Sequence, residues 1–446
     1  VIDLDAITSL LPDFLPRQRW YGAADRELRR VEIAVHDELR DAWPKLVWLL
    51  VDAEFDDGST ATFQVPVGLR PLEQTERFLE GKGRSFLGDA DTDEGPVLVY
   101  DALVDPELAL ELVRHVAPAE EVNRVRPLNV EQSNTSVVYD ERLIMKVFRR
   151  VALGPNPDVE MTEALAAQGF EHISAPVAAW RRGGRDLAVV REFLAGGTVG
   201  WQLALTSLRD MYDTRTDPAE AGGNFGPEAG RLGRITAEMH LALARAFGTE
   251  PGDATVWRET MRANLARSRA RALDANAIAA AYDALGDVRD AGRKMRIHGD
   301  YHLGQTMRTN RGWYILDFEG EPAVPLAERR GTSSPLRDVA GMLRSFHYAA
   351  EVALVERGES AGDEELRALG QRWEQHVAGA FCAGYFGTAG IDDLLARDEA
   401  DRRRVLEAFV LSKAVYEVGY ELAHRPDWVR IPLEAVSRLL AAAHPG

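Results

Sequence analysis

The sequence has a single cysteine, Cys382, so it holds no pair for an internal disulfide and no cysteine cluster for zinc. It also lacks any apolar run near the roughly 18 residues of a membrane-spanning helix. Leu46 to Val51, among the longest, is cut by Asp52. Positive charge is in deficit. The 53 Lys and Arg stand against 71 Asp and Glu, and a net charge of −18 repels nucleic acid and anionic lipid. No basic-then-apolar leader is seen at Val1 to Asp5, and the Gly-x-Ser-x-Gly elbow of many hydrolases is missing. Internal repeats and low-complexity tracts are missing too. What is present is 446 residues, 46% hydrophobic and 28% charged, which suits a globular protein of two or three domains. The expectation is a cytoplasmic protein that binds neither membranes nor nucleic acid.

The first 92 residues read as β-rich. Lys45 to Phe55 and Thr60 to Val67 are apolar-rich, and Asp56-Asp57-Gly58-Ser59 between them has the composition of a hairpin turn. Gly81 to Arg84 and the acidic stretch Asp89 to Gly95 read as loops, which puts a boundary near residue 92; Pro96 to Tyr100 then resumes an extended pattern. A polar loop, Gln132 to Ser136, precedes the strand-like Leu143 to Phe148. Asn156 can cap a following helix and Pro157 suits its first turn. Asp186 to Leu194 reads as another strand. Beyond residue 200 the pattern is mostly helical, with Leu232, Ile235, Met239 and Leu243 forming one stripe.

Chemistry concentrates in Ile297-His298-Gly299-Asp300-Tyr301-His302-Leu303-Gly304-Gln305 and Tyr314-Ile315-Leu316-Asp317-Phe318-Glu319. Gln305 follows Asp300 by five residues and Asp317 follows it by seventeen, around a strand-loop-strand unit. Phosphoryl transfer needs a carboxylate to accept the proton of the attacking hydroxyl, and oxygen donors to hold Mg²⁺. An aspartate with an amide carbonyl makes a plausible partial magnesium shell. His298 and His302 lie four apart in a loop without an intervening glutamate, so zinc-hydrolase chemistry is disfavoured.

This stretch resembles the catalytic and metal-binding loops of the aminoglycoside phosphotransferases and other eukaryotic-like small-molecule kinases. The resemblance implies that Asp300 is the catalytic base and that Gln305 and Asp317 bind metal; His298 is expected to brace the loop backbone, and Asp300 and His298 are also candidate substrate contacts. It departs from the commoner pattern at Gln305, where asparagine is usual, and at Glu319, where protein kinases have glycine. Lys146 lies in an otherwise apolar strand, an expensive place for an ammonium unless it meets phosphate or a carboxylate. Glu160 is its expected partner, the pair orienting the nucleotide phosphates as in kinase-like proteins. Without a Gly-x-Gly-x-x-Gly loop, Gln132 to Ser136 takes that place, and Ser133, Asn134 and Ser136 are the candidate phosphate contacts. Glu192 and Phe193 occupy the position of the hinge whose backbone would meet adenine.

Further stretches, among them Leu15 to Gly22, Glu131 to Val137, Asp317 to Pro322, and Lys413 to Glu421 with Arg425-Pro426-Asp427-Trp428, resemble the actinobacterial maltokinases along the whole chain. That resemblance implies an α+β, bilobal, protein-kinase-like fold with an additional N-terminal cap. The cap would span residues 1–92, a β-rich nucleotide-binding lobe 93–195, and a mainly helical lobe with catalytic loop and sugar-acceptor site 196–446. It implies ATP and Mg²⁺ as cofactors. The reaction would turn maltose into maltose 1-phosphate, which feeds a maltosyltransferase that builds α-glucan, and a trehalose-converting enzyme would be a possible partner. If Tyr416 to Leu422 is helical, Tyr416 and Tyr420 share one face and Glu417 and Glu421 an adjoining one, an arrangement that grips sugars but also suits core packing. Trp428 could add another platform. Glucosamine or an aminoglycoside are the rival acceptors, and a nucleotide-binding pseudokinase is the rival from another class.

Overall fold

The computed structural model describes residues 3–23, 25–74, 81–128, 133–268, 272–321, 326–358 and 363–443. Helix α1 (Leu4–Phe14) is capped by Asp3, whose carboxylate accepts from the amides of Asp5 and Ala6. Strands β1 (Leu28–Arg40), β2 (Lys45–Phe55), β3 (Thr60–Pro71), β4 (Phe86–Thr92) and β5 (Gly95–Asp101) follow, in the sheet order β1-β2-β3-β5-β4. The turn between β2 and β3 falls on Asp56 to Ser59, where Gly58 has φ +77° and the Asp57 carboxylate accepts the Ser59 amide at 2.9 Å.

β2 is apolar without alternation because both its faces are covered. Leu46, Trp48 and Leu50 enter one core with Tyr139, Met145, Val147 and Val189. Val47, Leu49 and Val51 enter another with Ile7, Leu11 and Phe14 of α1. Asp89 and Asp91 do not form a loop: they lie in the edge strand β4, where alternate residues face outward and acidic side chains discourage further pairing. A boundary at residue 92 would therefore cut the β4–β5 hairpin.

After α2 (Pro106–Val116) come β6 (Val125–Leu128), β7 (Asn134–Tyr139), β8 (Leu143–Phe148), β9 (Arg150–Val151), α3 (Pro157–Ala167), β10 (Pro176–Arg182) and β11 (Arg185–Glu192). They build a five-stranded sheet of order β10-β11-β8-β7-β6, while β9 pairs with β3. Buried Gln64 of β3 stitches the two sheets together. Its oxygen accepts Trp48 Nε1 at 2.8 Å, and its amide donates to the carbonyls of Phe148 (2.9 Å) and Leu187 (2.8 Å). Asn156 caps α3 by accepting the Asp158 amide at 2.9 Å.

The chain forms two compact units, Val1–Thr162 with Ser174–Ala195, and Glu163–Ile173 with Gly196–Gly446. The second is helical: α4 (Gly200–Thr214), α5 (Gly226–Phe247), α6 (Ala254–Arg267), α7 (Ala275–Asp283), α8 (Leu326–Arg329), α9 (Leu336–Glu356), α10 (Glu364–Phe386), α11 (Glu399–His424) and α12 (Arg430–Ala443). Short strands β12 (Thr198–Val199), β15 (Thr306–Thr309) and β16 (Gly312–Ile315) form a small sheet, and β13 (Glu250–Pro251) pairs with β14 (Arg293–Lys294). The α5 stripe Leu232, Ile235, Met239 and Leu243 is buried. Among the described residues, no helix is long and apolar enough to cross a membrane.

Candidate active site

The polar loop between β14 and β15 is fixed from below by one buried carboxylate. Asp338, in the first turn of α9, accepts the backbone amides of His298 (2.8 Å) and Gly299 (2.9 Å) and the Nε2 of His240 (3.1 Å). His240 Nδ1 in turn lies 2.9 Å from the Tyr385 hydroxyl. Burial pushes the Asp338 carboxyl up, but His240, His298 and the Gly299 amide bring it below the usual carboxylate range. The loop is thereby held from behind, just before Asp300.

The His298 ring connects this loop to the next strand. Its Nε2 is 2.9 Å from the Leu316 carbonyl and its Nδ1 accepts the Asp300 amide at 3.4 Å, which assigns the proton to Nε2. Phe318 lies against the ring with centroids 4.8 Å apart. The Leu316 amide donates to the Gln305 carbonyl at 2.9 Å. Leu316 thus ties both the His298 side chain and the Gln305 backbone to the residue next to Asp317. Asp317 itself sits at φ +57°, a costly region for a residue with a Cβ and one often retained at functional sites. His298 acts as a brace here.

Asp300 is 22% exposed, with Lys413 Nζ of α11 3.4 Å from Oδ1 and His302 Nε2 3.9 Å from Oδ2. Lys413 also donates to Glu321 Oε1 at 2.8 Å. Burial raises the Asp300 pKa, and Lys413 followed by the two histidines lowers it further, so the carboxyl ends below its ordinary range. Lys413 moves the other way. Burial disfavours its charge, but Glu321 and Asp300 outweigh that and hold the ammonium protonated.

A cavity of about 750 Å³, counting its open mouth, lies alongside. Gly299 and Tyr301, which flank Asp300, line it. Its walls are α6 and α11, each presenting residues spaced i, i+3, i+4, i+7: Trp257 to Asn264 on one, Phe409 to Tyr416 on the other. Glu321, Lys413, Arg337 and Asn264 supply polar groups, and Trp257 and Tyr416 supply aromatic ones.

The other expected sugar contacts are engaged elsewhere. Glu417 accepts Arg344 through two bonds of 2.9 and 2.7 Å. Glu421, buried, accepts the Tyr348 hydroxyl at 3.1 Å and Arg425 at 2.9 and 2.7 Å. Tyr420 stacks on His424 with centroids 4.4 Å apart, and the Arg425 guanidinium lies 5.6 Å from the Tyr420 ring and 4.5 Å from that of Trp428. Neither Tyr420 nor Trp428 lines the cavity; of the five C-terminal candidates only Tyr416 does. Helical periodicity identified the shared faces but not what each face touches.

In the first unit, Lys146 on β8 stands opposite Ser136 on β7 and 3.3 Å from Asp158 Oδ2. Asp158, two residues before the expected partner Glu160, thus provides a carboxylate beside Lys146, and Arg191 holds that carboxylate at 3.1 Å. Asn134 and Ser136 belong to strand β7 rather than to a loop, which leaves Ser133 at its edge; Gln132 lies outside the described residues. At the expected hinge, the Glu192 amide donates to the Ala175 carbonyl at 2.9 Å and the Phe193 amide to the Arg142 carbonyl at 2.7 Å. Those two donors are used within the protein.

A family model described as "Phosphotransferase enzyme family" matches residues 124–376, more than half of the chain. The chain belongs to this phosphotransferase family. A second model, "Maltokinase N-terminal cap domain", matches residues 14–105 and carries the cap past the β4–β5 hairpin. A glucosamine kinase of Streptacidiphilus jiangxiensis is 29% identical over 361 residues, 76% of this chain and 78% of that protein. One from Mycolicibacterium smegmatis is 28% identical over 335 residues, 71% and 79% of the two chains. A solved glucosamine kinase in complex with glucosamine, ADP and inorganic phosphate superposes with a TM-score of 0.70 at 22% identity, covering 99% of both chains. A second crystal form gives 0.68 at 24% identity, over 92% of this chain and 95% of that one. The fold is the kinase-like phosphotransferase fold with an N-terminal cap.

Asp338, His240, Lys413, Glu321, Trp257, Asn264 and Arg337 gained no role from sequence reasoning. Lys413 and Glu321 stand inside stretches whose resemblance was evident, yet only the packing of α11 brings the ammonium to Asp300.

Proposed function

We propose that this phosphotransferase transfers the γ-phosphoryl group of ATP to the anomeric hydroxyl of maltose, giving maltose 1-phosphate and ADP. The observation that carries the reading is the cavity beside Asp300, with aromatic and polar residues along two helices in the manner of a sugar site. The maltokinase-type cap supports maltose as the sugar. Asp300, ionised at neutral pH, orients the acceptor hydroxyl and takes its proton, a contribution of about 10² to 10⁴ in rate. His298 and Asp338 keep the loop backbone fixed so that Asp300 need not reorganise. Lys146, held by Asp158, is the first unit's phosphate-binding cation, with Ser133 near the phosphates.

The donor chemistry at Gln305 and Asp317 fits Mg²⁺. An amide oxygen and a carboxylate are hard ligands, and the carboxylates of Asp317 and Glu319 lie within 4.8 Å of each other, where a cation relieves their repulsion. Bound there, Mg²⁺ supplies charge neutralisation at the phosphates.

The glucosamine kinases among the relatives favour a second reading, phosphorylation of glucosamine. ADP formation with maltose, glucose, glucosamine and kanamycin separates the two. Maltose as the preferred acceptor is expected, and preference for glucosamine would replace the first reading with the second. With Asp300→Asn, turnover should vanish while ATP binding stays near normal; near-normal turnover would remove Asp300 as base.

A further inference from the structure

A positively charged acceptor needs a carboxylate to meet its ammonium, because an unpaired cation is costly away from bulk water. Asp300, beside the cavity, and Glu321, in its wall, are two carboxylates on either side of Lys413. Both are engaged by one ammonium: Lys413 Nζ is 3.4 Å from Asp300 Oδ1 and 2.8 Å from Glu321 Oε1. The guanidinium of Arg337 lies 3.9 Å from the other oxygen of Glu321. Lys413, Glu321 and Arg337 all line the cavity.

We propose that Lys413 sets the charge of the acceptor, filling the counter-ion position between Asp300 and Glu321 and so admitting uncharged sugars while excluding ammonium-bearing ones. The inference rests on Asp300 as the base and deepens that reading. A carboxylate has lone pairs for more than one donor, so a sugar hydroxyl can bond to Asp300 with Lys413 still in place. An amino sugar has two options. It displaces Lys413 and strands that ammonium, or it sits beside it as a like charge. Either raises its free energy relative to a neutral sugar, so selectivity comes from the repulsive element. The ion pair that discriminates also keeps the base ionised, since Lys413 is the main group lowering the Asp300 pKa against burial.

The test compares wild type, Lys413→Met and Lys413→Arg in kcat/KM for maltose and for glucosamine, below the pKa of the glucosamine amine. Methionine keeps length and apolar bulk without charge; arginine keeps the charge. Both rates can fall in the methionine variant, so the readout is their ratio. The glucosamine-to-maltose ratio should rise at least tenfold in Lys413→Met and stay within about threefold of wild type in Lys413→Arg. An unchanged ratio in Lys413→Met overturns the proposal, as does a wild type that prefers glucosamine. If the variant does not fold, the wild type alone decides. Its ratio should climb as pH passes the amine's pKa and the acceptor loses its charge, and a flat ratio overturns the proposal. Asp300→Asn, run in parallel, separates the two levels. If it retains turnover, the base assignment fails; if it loses turnover while the Lys413→Met ratio stays flat, only the role of Lys413 fails.

Discussion

Replacing Asp338 by asparagine preserves the shape of the side chain and changes what it can accept. The aspartate receives three donors, the amides of His298 and Gly299 and the imidazole Nε2 of His240, in a fully buried position. Asparagine offers one oxygen and one amide group. Whichever way it is turned, at least one backbone N–H then faces another donor. A hydrogen bond to a charged group contributes about 1.5–3 kcal/mol, and a buried donor left unsatisfied costs about 1–3 kcal/mol. A loss of roughly 3 kcal/mol is expected, which at about 2–4 °C per kcal/mol lowers the unfolding temperature of a unit this size by roughly 6–12 °C. The catalytic consequence is separable from stability. Asp338 holds the backbone on which Asp300 rides, and misplacing a reacting group by about 1 Å can cost on the order of 10² in rate. Well below its melting temperature, Asp338→Asn should show kcat reduced by about that factor with KM for ATP little changed. The assays are thermal unfolding by tryptophan fluorescence and steady-state kinetics with each substrate varied. If kcat stays within a factor of two and the melting temperature within about 2 °C, the clamp is not what fixes the catalytic loop.

Removing the Gln305 oxygen with Gln305→Leu leaves the backbone bonds of that turn in place, so the fold should persist while half-saturation by Mg²⁺ rises at least tenfold; a Mg²⁺ titration of activity checks this. Gln64→Leu deletes the partner of Trp48 Nε1 and the donor to two carbonyls in a buried site, which should destabilise the first unit by about 2–4 kcal/mol, read from its urea midpoint. Acid should weaken the second unit through Asp338. Its folded pKa is depressed, so its contribution is complete above the unfolded value near about 4 and is lost as pH falls through the folded one. Unfolding midpoints of wild type and Asp338→Asn should therefore converge as pH drops below about 4, and curves that stay parallel would refute the assignment.

The parts legible in the sequence were those whose partners are near in the chain. The β2–β3 hairpin needs only two apolar runs and an Asp-Gly turn, and the spacing of Asp300, Gln305 and Asp317 fits within one strand-loop-strand unit. Lys413 lies 113 residues from Asp300, and Asp338 lies 40 from His298; local periodicity carries no trace of either meeting. Glu417 and Glu421 show the converse. Their four-residue spacing is real, but Arg344 and Tyr348, each 73 residues away, claim them. Lys146 was recognised as an ammonium needing a carboxylate, while the part Asp158 plays beside it depended on how the first turn of α3 meets Arg191.

The apolar core beneath Trp48 belongs as much to β7 and β8 as to β2. Deleting the cap would expose the inner wall of the strand that carries Lys146, so a shortened chain starting near residue 106 should precipitate or fail to express rather than yield a smaller working kinase. Amide protons of β2 and β8 should also exchange with deuterium at similar rates, as those of a single cooperative unit do. The cap is then a wall of the nucleotide-lobe core, and the two should unfold together.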